Sequence, residues 1–443
     1  MSLIGKLQNI IDEARVLYQG AHPGNFETVL QSGSGSGDNL LIRGDNLKFM
    51  KHLDTTGYNG KLNLIYIDPP FFSKANYDAI IKIDSDKTEI PPIKLYAYHD
   101  TWENGMENYL RMLCARFYMM RDLLADDGCI FVHLDWHVVH YVKIILDEVF
   151  GEKNFINEII WNYKSGGTSK KHFARKHDTL LFYAKTGKYY FKPQQEKSYN
   201  REFKPYRFKG VKEYKDELGW YTMVNMKDVW QIDMVGRTSS ERTGYATQKP
   251  EALLARIVES CSKEGDICAD FFGGSGTLAN VCHRAGRKWI SCDVGSLAFS
   301  GTAKRLIKSG ADFIAMEQAD DLKDKVKCDV KIDISVNPLE LSDKKILNVR
   351  LVSYSVDVKK ISLDPPSEKV VKNVMKSDSL SLIDYWSVDF HFDGKVHKPE
   401  MISFSGKDKN YECEKIGSSF SKVSIHIVDV FGNNSFILGD VGQ

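Results

Sequence analysis

Leu62-Asn63-Leu64-Ile65-Tyr66-Ile67-Asp68-Pro69-Pro70-Phe71 sets a nearly continuous apolar run directly against an acid and two prolines. A run this short and this apolar reads as a strand buried on both faces, the kind found inside a parallel sheet. In an open α/β sheet, ligands bind outside the carboxyl ends of the strands. Asp68, Pro69, Pro70 and Phe71 therefore stand where a catalytic loop is expected.

The pattern repeats outward from that run. Residues 39–43, 128–134, 155–161, 179–184, 266–270 and 289–293 read as strands, and 109–124, 137–150, 250–262 and 278–285 as helices. Strands alternating with helices predict a doubly wound, mostly parallel α/β sheet. Ahead of it, residues 3–18 carry apolar positions at helical spacing, and Ser32–Gly37 has a flexible-linker composition. Beyond about residue 320 the period becomes two, over 347–358, 385–392 and 423–430, with Trp386, Val388, Phe390 and Phe392 on one face and a hairpin turn expected at Asp393-Gly394. That change predicts a separate, all-β, sandwich-like domain.

The chain has 443 residues, of which 42% are hydrophobic. It contains no apolar run of the ~20 residues a membrane helix needs and no secretory pattern at its start, so a cytoplasmic protein is expected. Eight cysteines form no C-x-x-C pair, which excludes a zinc ribbon or redox motif, and none follows a proline. The net charge of +1 hides an asymmetry: residues 164–215 hold fifteen Lys or Arg and four acids. A segment at +11 on an otherwise acidic body predicts a polyanion-binding surface.

The Asp68 loop suits one chemistry in particular. An exocyclic base amine is a poor nucleophile because its lone pair is delocalised into the ring. A site that alkylates it must accept its N–H bonds and steer the nitrogen toward tetrahedral geometry. The Asp68 carboxylate and the Pro69 carbonyl can do so, on a backbone stiffened by proline, and Phe71 offers a flat face to a base swung out of a duplex. Asp364-Pro365-Pro366 repeats the tripeptide, but Ser367 follows it, and that copy reads as a turn.

A second constellation, Asp270-Phe271-Phe272-Gly273-Gly274-Ser275-Gly276-Thr277, also joins a strand to a helix. Its glycines let the backbone pass close to a ligand, as in nucleotide-like cofactor cradles, but it lacks the P-loop form. Asp293 ends the next strand, placed for ribose hydroxyls.

Together these residues resemble the β-class DNA amino-methyltransferases, the N4-cytosine/N6-adenine family, and look especially like modification subunits of type III restriction systems. The order matches: the D-P-P-aromatic loop, then a target-recognition segment, then the cofactor loop, over roughly residues 40–310. The resemblance implies a Rossmann-like methyltransferase sheet and S-adenosylmethionine as cofactor. It assigns Asp45 of Gly44-Asp45-Asn46-Leu47 to the cofactor adenine. It sets Lys249 and Pro250 of Thr247-Gln248-Lys249-Pro250 beside the methionine part. Asp68, Asp270, Phe272, Gly274, Ser275, Gly276, Thr277 and Asp293 complete the implied cofactor site. His133-Leu134-Asp135-Trp136 and His177-Asp178 through Tyr183 also have the family's look. Three departures stand out: Phe271 replaces a proline, Phe71 a tyrosine, and Phe72-Ser73-Lys74 the usual N-T-G.

The resemblance further implies base flipping and direct displacement onto adenine N6 in duplex DNA, with no metal. Lys170, Lys171, Arg175 and Lys176 are the expected phosphate contacts. The expected layout is an N-terminal helix and linker (1–38), a catalytic part (39–185), an inserted target-recognition lobe (186–244), a cofactor-binding part (245–320) and the C-terminal β domain (321–443). Partners in keeping with it are a second copy and a separate restriction subunit. Alternatives are N4-cytosine methylation, RNA adenine methylation, a decayed DNA-binding module and a nicotinamide-dependent oxidoreductase.

Overall fold

The computed structural model describes residues 2–34, 37–73, 76–85, 89–99, 105–167, 169–236, 238–320, 326, 328–340, 342–406 and 409–441. In chain order the strands of its first three quarters are β1 (Phe26–Ser32), β2 (Leu40–Arg43), β3 (Leu62–Ile67), β4 (Asn76–Ile81), β5 (Ile93–His99), β6 (Leu124–Leu134), β7 (Phe155–Asn162), β8 (His177–Ala184), β9 (Gln195–Tyr199), β10 (Glu213–Lys215), β11 (Trp220–Asn225), β12 (Val229–Gln231), β13 (Ile267–Asp270), β14 (Lys288–Asp293) and β15 (Phe313–Gln318). The helices are α1 (Leu7–Gln19), α2 (Asn46–Leu53), α3 (Met106–Leu123), α4 (Val139–Phe150), α5 (Glu251–Cys261), α6 (Thr277–Arg284) and α7 (Ser296–Lys308).

Ten strands make one sheet in the order β1-β15-β2-β14-β13-β3-β6-β8-β7-β12. From β15 to β6 all neighbours run parallel, while β8 is antiparallel to both β6 and β7. The parallel strands β2, β3, β6, β13 and β14 thus end on one edge, and antiparallel β8 begins there, with Leu134 opposite Thr179. The loops that the sequence marks for chemistry emerge side by side along this edge.

Both faces of the sheet are covered. Phe49, Leu113, Phe117, Met120, Val142 and Leu146 from α2, α3 and α4 pack on one face, and Leu253, Ile257, Leu278 and Phe299 from α5, α6 and α7 on the other. Each such side chain contributes about 1.5–3 kcal/mol when fully buried, so these layers hold the sheet edge rigid. The short strand β12 re-enters the sheet beside β7, with Trp230 opposite Trp161. The segment between β8 and β12 builds a small sheet, β10-β11-β9, whose faces are tyrosine-rich.

The C-terminal region contains two antiparallel sheets, one of Cys328–Pro338, Lys345–Val356 and Glu412–Gly417, the other of Met401–Phe404, Ile383–Asp389, Lys422–Asp429 and Asn434–Asp440. Trp386, Val388 and Phe390 enter their shared core, as the alternation implies. Ser387 and Asp389 on the opposite side are buried too. Ser387 bonds His397, whose carbonyl accepts the Gln31 N–H at the edge of β1.

Several elements differ from the sequence reading. Asp364-Pro365-Pro366 is not a free turn: Asp364 caps the helix Pro365–Ser377, accepting the Ser367 N–H at 2.9 Å. Asp393-Gly394 lies in the wider connection between Val388 and Met401, which are paired. The expected linker is preceded by strand β1, and residues 35–36 lie outside the described residues. The hairpin β4–β5 packs Ala79, Ile93 and Leu95 into the C-terminal core. All eight cysteines are free thiols. Among the described residues, no helix is long and apolar enough to cross a membrane.

Candidate active site

Asp68 follows β3 and Asp270 ends β13, and the loops they begin face one cavity of about 670 Å³. Asp68, Pro69, Pro70 and Phe71 line it together with Phe272, Gly274, Ser275, Thr277 and Asp293. Two loops some two hundred residues apart in sequence thus share one space, because β3 and β13 are neighbours in the sheet.

The Asp68 carboxylate is held from one side only. Its Oδ2 accepts from the Lys249 ammonium, while Oδ1 is buried with no hydrogen-bond partner among the described residues. His133 Nδ1 stands 3.9 Å from Oδ1, too far for a hydrogen bond. A buried acceptor left without a donor costs about 1–3 kcal/mol and calls for a functional account. Behind Asp68 runs a chain of buried polar groups. The Tyr66 hydroxyl meets His133 Nδ1 at 2.8 Å, His133 Nε2 meets Asp178 at 3.3 Å, and the Tyr163 hydroxyl donates to Asp178 at 3.1 Å. Burial pushes the Tyr66 phenol well up, with Asp68, Asp270 and Asp178 adding to it. Burial also pushes Asp178 up, but the His133 hydrogen bond, the nearby Lys249 charge and the Tyr163 hydrogen bond together prevail, and its carboxyl sits below the usual range. His133 further packs against Phe71, ring centres 5.8 Å apart, and the Lys249 ammonium lies 5.2 Å from the Phe71 ring centre. Phe72 takes φ +57° and packs on Tyr109, which turns the chain away from helix after Phe71.

Around the glycine turn, backbone donors are matched to carboxylates. Asp293 accepts the Gly274 N–H at 2.8 Å and the Gly295 N–H at 2.8 Å. Burial raises its carboxyl in spite of those bonds, and raises that of Asp270 well above the ordinary range. Asp45 lines the cavity, yet both of its oxygens have partners: one caps α2 through Lys48 N–H at 2.9 Å, the other pairs with Arg116 at 3.0 Å.

Two residues expected at the cofactor stand behind the cavity instead. Pro250 is the N-cap of α5, buried and outside the lining set. Gly276 is also outside it. It enters α6 at φ +68°, where a Cβ would come within 2.4 Å of the Thr302 methyl. Both support the loop from behind. Conversely, Tyr66, Arg116 and Tyr245 line the cavity and carry no motif. Tyr245 touches Gly274, where an added Cβ would lie 3.3 Å from its ring.

Of the expected phosphate contacts, Lys170, Lys171 and Arg175 are exposed in the loop joining β7 to β8, on the same sheet edge as Asp68. The Arg175 guanidinium lies 3.8 Å over the Trp136 ring centre. Lys176 differs: its ammonium closes the loop on Ser165 and on the Gly166 carbonyl at 2.6 Å. Phe173, in the same loop, is 98% exposed.

A family model described as DNA methylase matches residues 62–304. The type III restriction-modification enzyme EcoP15I Mod subunit of Escherichia coli is 26% identical over 169 residues, 35% of this chain and 25% of that protein. The chain therefore spans about a quarter of that relative. Type II methyltransferase M.EcaI of Enterobacter cloacae is 28% identical over 327 residues, 60% of this chain and 69% of its own. DNA adenine methyltransferase YhdJ of Escherichia coli strain K12 is 24% identical over 269 residues, covering 59% and 80%.

Proposed function

The chain belongs to the DNA methylase family, and on that premise we propose that it transfers the methyl group of S-adenosylmethionine to N6 of adenine in duplex DNA. The observation that carries this reading is the buried Oδ1 of Asp68, without a hydrogen-bond partner among the described residues, on a cavity that also holds the glycine turn.

The residues fit that cofactor. Four carboxylates (Asp45, Asp68, Asp270, Asp293) line the cavity against three cations, Arg116, Lys249 and Lys360, an excess of acid that suits a sulfonium. Burial raises Asp270 and Asp293, and a cationic ligand beside them favours their ionised forms. Backbone N–H groups of the turn and the remaining lone pairs of Asp293 are the groups that would hold an adenosine ribose. When bound, S-adenosylmethionine supplies an electrophilic methyl group.

The chain's own residues do the rest. Phe71 takes one face of the flipped base. Asp68 Oδ1 and the Pro69 carbonyl accept the two N–H bonds of the amine, so the lone pair points at the methyl carbon. An amine nitrogen alkylated there would shed a proton, and Asp68 Oδ1 is the acceptor placed to take it. Lys249 keeps the other oxygen fixed, and the Tyr66–His133–Asp178 chain stiffens the wall behind. Positioning and electrostatics carry the acceleration.

Adenine is favoured over cytosine because Asp68 goes with adenine in the family, and one relative is an adenine methyltransferase by name. The DNA surface would be the basic loop between β7 and β8 and the small β9–β11 sheet, where Phe203, Tyr206 and Phe208 are exposed among Arg201, Lys204, Arg207 and Lys209. A restriction subunit or a second copy would be further partners.

The test is transfer of tritiated methyl from S-adenosylmethionine to duplex DNA and, in parallel, to RNA, followed by nucleoside analysis. N6-methyl-2′-deoxyadenosine is expected. N4-methylcytosine would reassign the base, and label in RNA alone would overturn the substrate. Affinity for the duplex should fall steeply with added salt; a flat response would refute the basic surface as its seat.

A further inference from the structure

The cavity has a wall that the family match does not include. Lys360, Ile361, Ser362, Phe431 and Asn433, all beyond residue 304, line it together with Asp68 and Asp293. The C-terminal sheets are therefore not an appendage on a finished active site.

Two contacts set that wall in place. The turn 431–433 presses on the segment that follows Asp293. A Cβ on Gly432 would come within 2.8 Å of the Ser296 carbonyl and 2.9 Å of the Leu297 nitrogen, and its φ of +85° also favours glycine. The turn is built on Asp429. That carboxylate accepts the Phe431 N–H at 2.9 Å, the Asn433 N–H at 2.8 Å, the Asn433 side-chain amide at 2.8 Å and the Tyr354 hydroxyl at 2.5 Å. On the other side, the Ser362 carbonyl accepts the Tyr96 N–H at 2.9 Å, and Leu363 pairs with Leu95. The C-terminal region thus grips both the cofactor-side loop after β14 and the hairpin that continues the Asp68 loop.

We propose that the C-terminal region completes the cofactor site, with the turn Phe431–Asn433 and the segment Lys360–Ser362 covering the adenosine half of S-adenosylmethionine. This rests on the methyltransferase reading, in which Asp293 holds the ribose, because the turn sits on the residues next to Asp293. Asn433 spends its amide nitrogen on Asp429, and its amide oxygen accepts no hydrogen bond among the described residues. That oxygen is the acceptor the wall offers to a ribose hydroxyl or to the adenine amine.

Hydrogen exchange of the full chain, with and without S-adenosylhomocysteine, separates the outcomes. Amides in 428–436 should slow together with those in 270–278. Slowing in 270–278 alone would overturn the C-terminal wall and leave the methyltransferase reading standing. No slowing in either would sink that reading and the wall with it. A variant gives a second readout: Ser362→Trp, at an exposed position, should weaken S-adenosylhomocysteine binding in calorimetry by about tenfold or more, with an unaltered melting midpoint in the absence of ligand. Unchanged affinity in that folded variant would also overturn the wall.

Discussion

At Asp364 the carboxylate accepts the Ser367 N–H and opens a helix of 13 residues; at Asp68 the same Asp-Pro-Pro opens no helix, and one carboxylate oxygen is buried beside a cavity with no partner among the described residues. The prolines do not distinguish the two, since the first turn of a helix tolerates them. The residues after them do. Ser367-Glu368-Lys369-Val370-Val371 continues as an amphipathic helix that buries Val371 and Val374. After Pro70 come two aromatics, and Phe72 is held at φ +57° against Tyr109, so helix cannot propagate and no backbone N–H among the described residues reaches Asp68 Oδ1. An N-cap consumes a carboxylate, whereas a broken turn leaves one free for a ligand.

The strongest way to break this contrast is to delete both acids in turn. Asp68→Ala should lower the rate of methyl transfer by about a hundred- to a thousandfold or more, the scale of losing one preorganised electrostatic contact. Asp364→Ala should leave the rate as it is. Single-turnover transfer of tritiated methyl measures both. A comparable loss in Asp364→Ala would show that the two copies are not functionally distinct.

Next in size is Lys249, which pairs with Asp68, whereas among the described residues Asp364 forms no ion pair. Lys249→Met should cost about ten- to a hundredfold in the same assay, because it leaves a buried carboxylate without its counter-charge. Lys249→Arg should recover part of the loss. Equal activity in all three proteins would mean that Asp68 is positioned by the loop backbone alone.

Helix entry sharpens the comparison further. Where Asp364 uses a side chain to start its helix, α6 starts at Gly276 with no side-chain cap, leaving that turn to the cavity rim. Gly276→Ala should destabilise the fold by about 1–3 kcal/mol, from an αL backbone and the contact with Thr302. A denaturant midpoint unchanged from wild type would contradict the close approach.

Much of this arrangement was legible in the sequence because its cause is local. The apolar runs before Asp68, Asp270 and Asp293 announce buried strands, and the sheet edge follows from them. The features that stayed hidden were of three kinds. Edge elements such as β1 bury only Phe26, Leu30 and Ser32 among Glu27, Thr28 and Gln31, too few apolar residues to announce a strand. Long-range pairings such as Asp68 with Lys249, or Tyr66 with His133 and Asp178, join residues that carry no signal of their partnership singly. Motif positions also mix ligand contacts with scaffolding: Pro250 and Gly276 sit in the motifs but serve α5 and α6, while Tyr245 and Asn433 reach the cavity from stretches that no motif covers.

The smallest effect is the most direct test of the cap itself. The hydrogen bond from the Ser367 side chain, with the Ser367 N–H, holds the Asp364 carboxyl below its ordinary range. A carboxyl depressed in the folded state contributes stability that is present above its unfolded pKa and lost as pH falls through the folded one. Asp364→Ala should therefore lower the melting midpoint slightly at neutral pH, and the gap from wild type should shrink on acidification below the ordinary carboxylate range. Asp364→Asn, which keeps a capping oxygen without the charge, should fall between the two at neutral pH and show less pH dependence relative to Ala. No gap at any pH would mean that the helix is held by the packing of Val371 and Val374, with the cap idle; the two Asp-Pro-Pro copies would then differ through the residues on their C-terminal side and not through the groups their carboxylates bind.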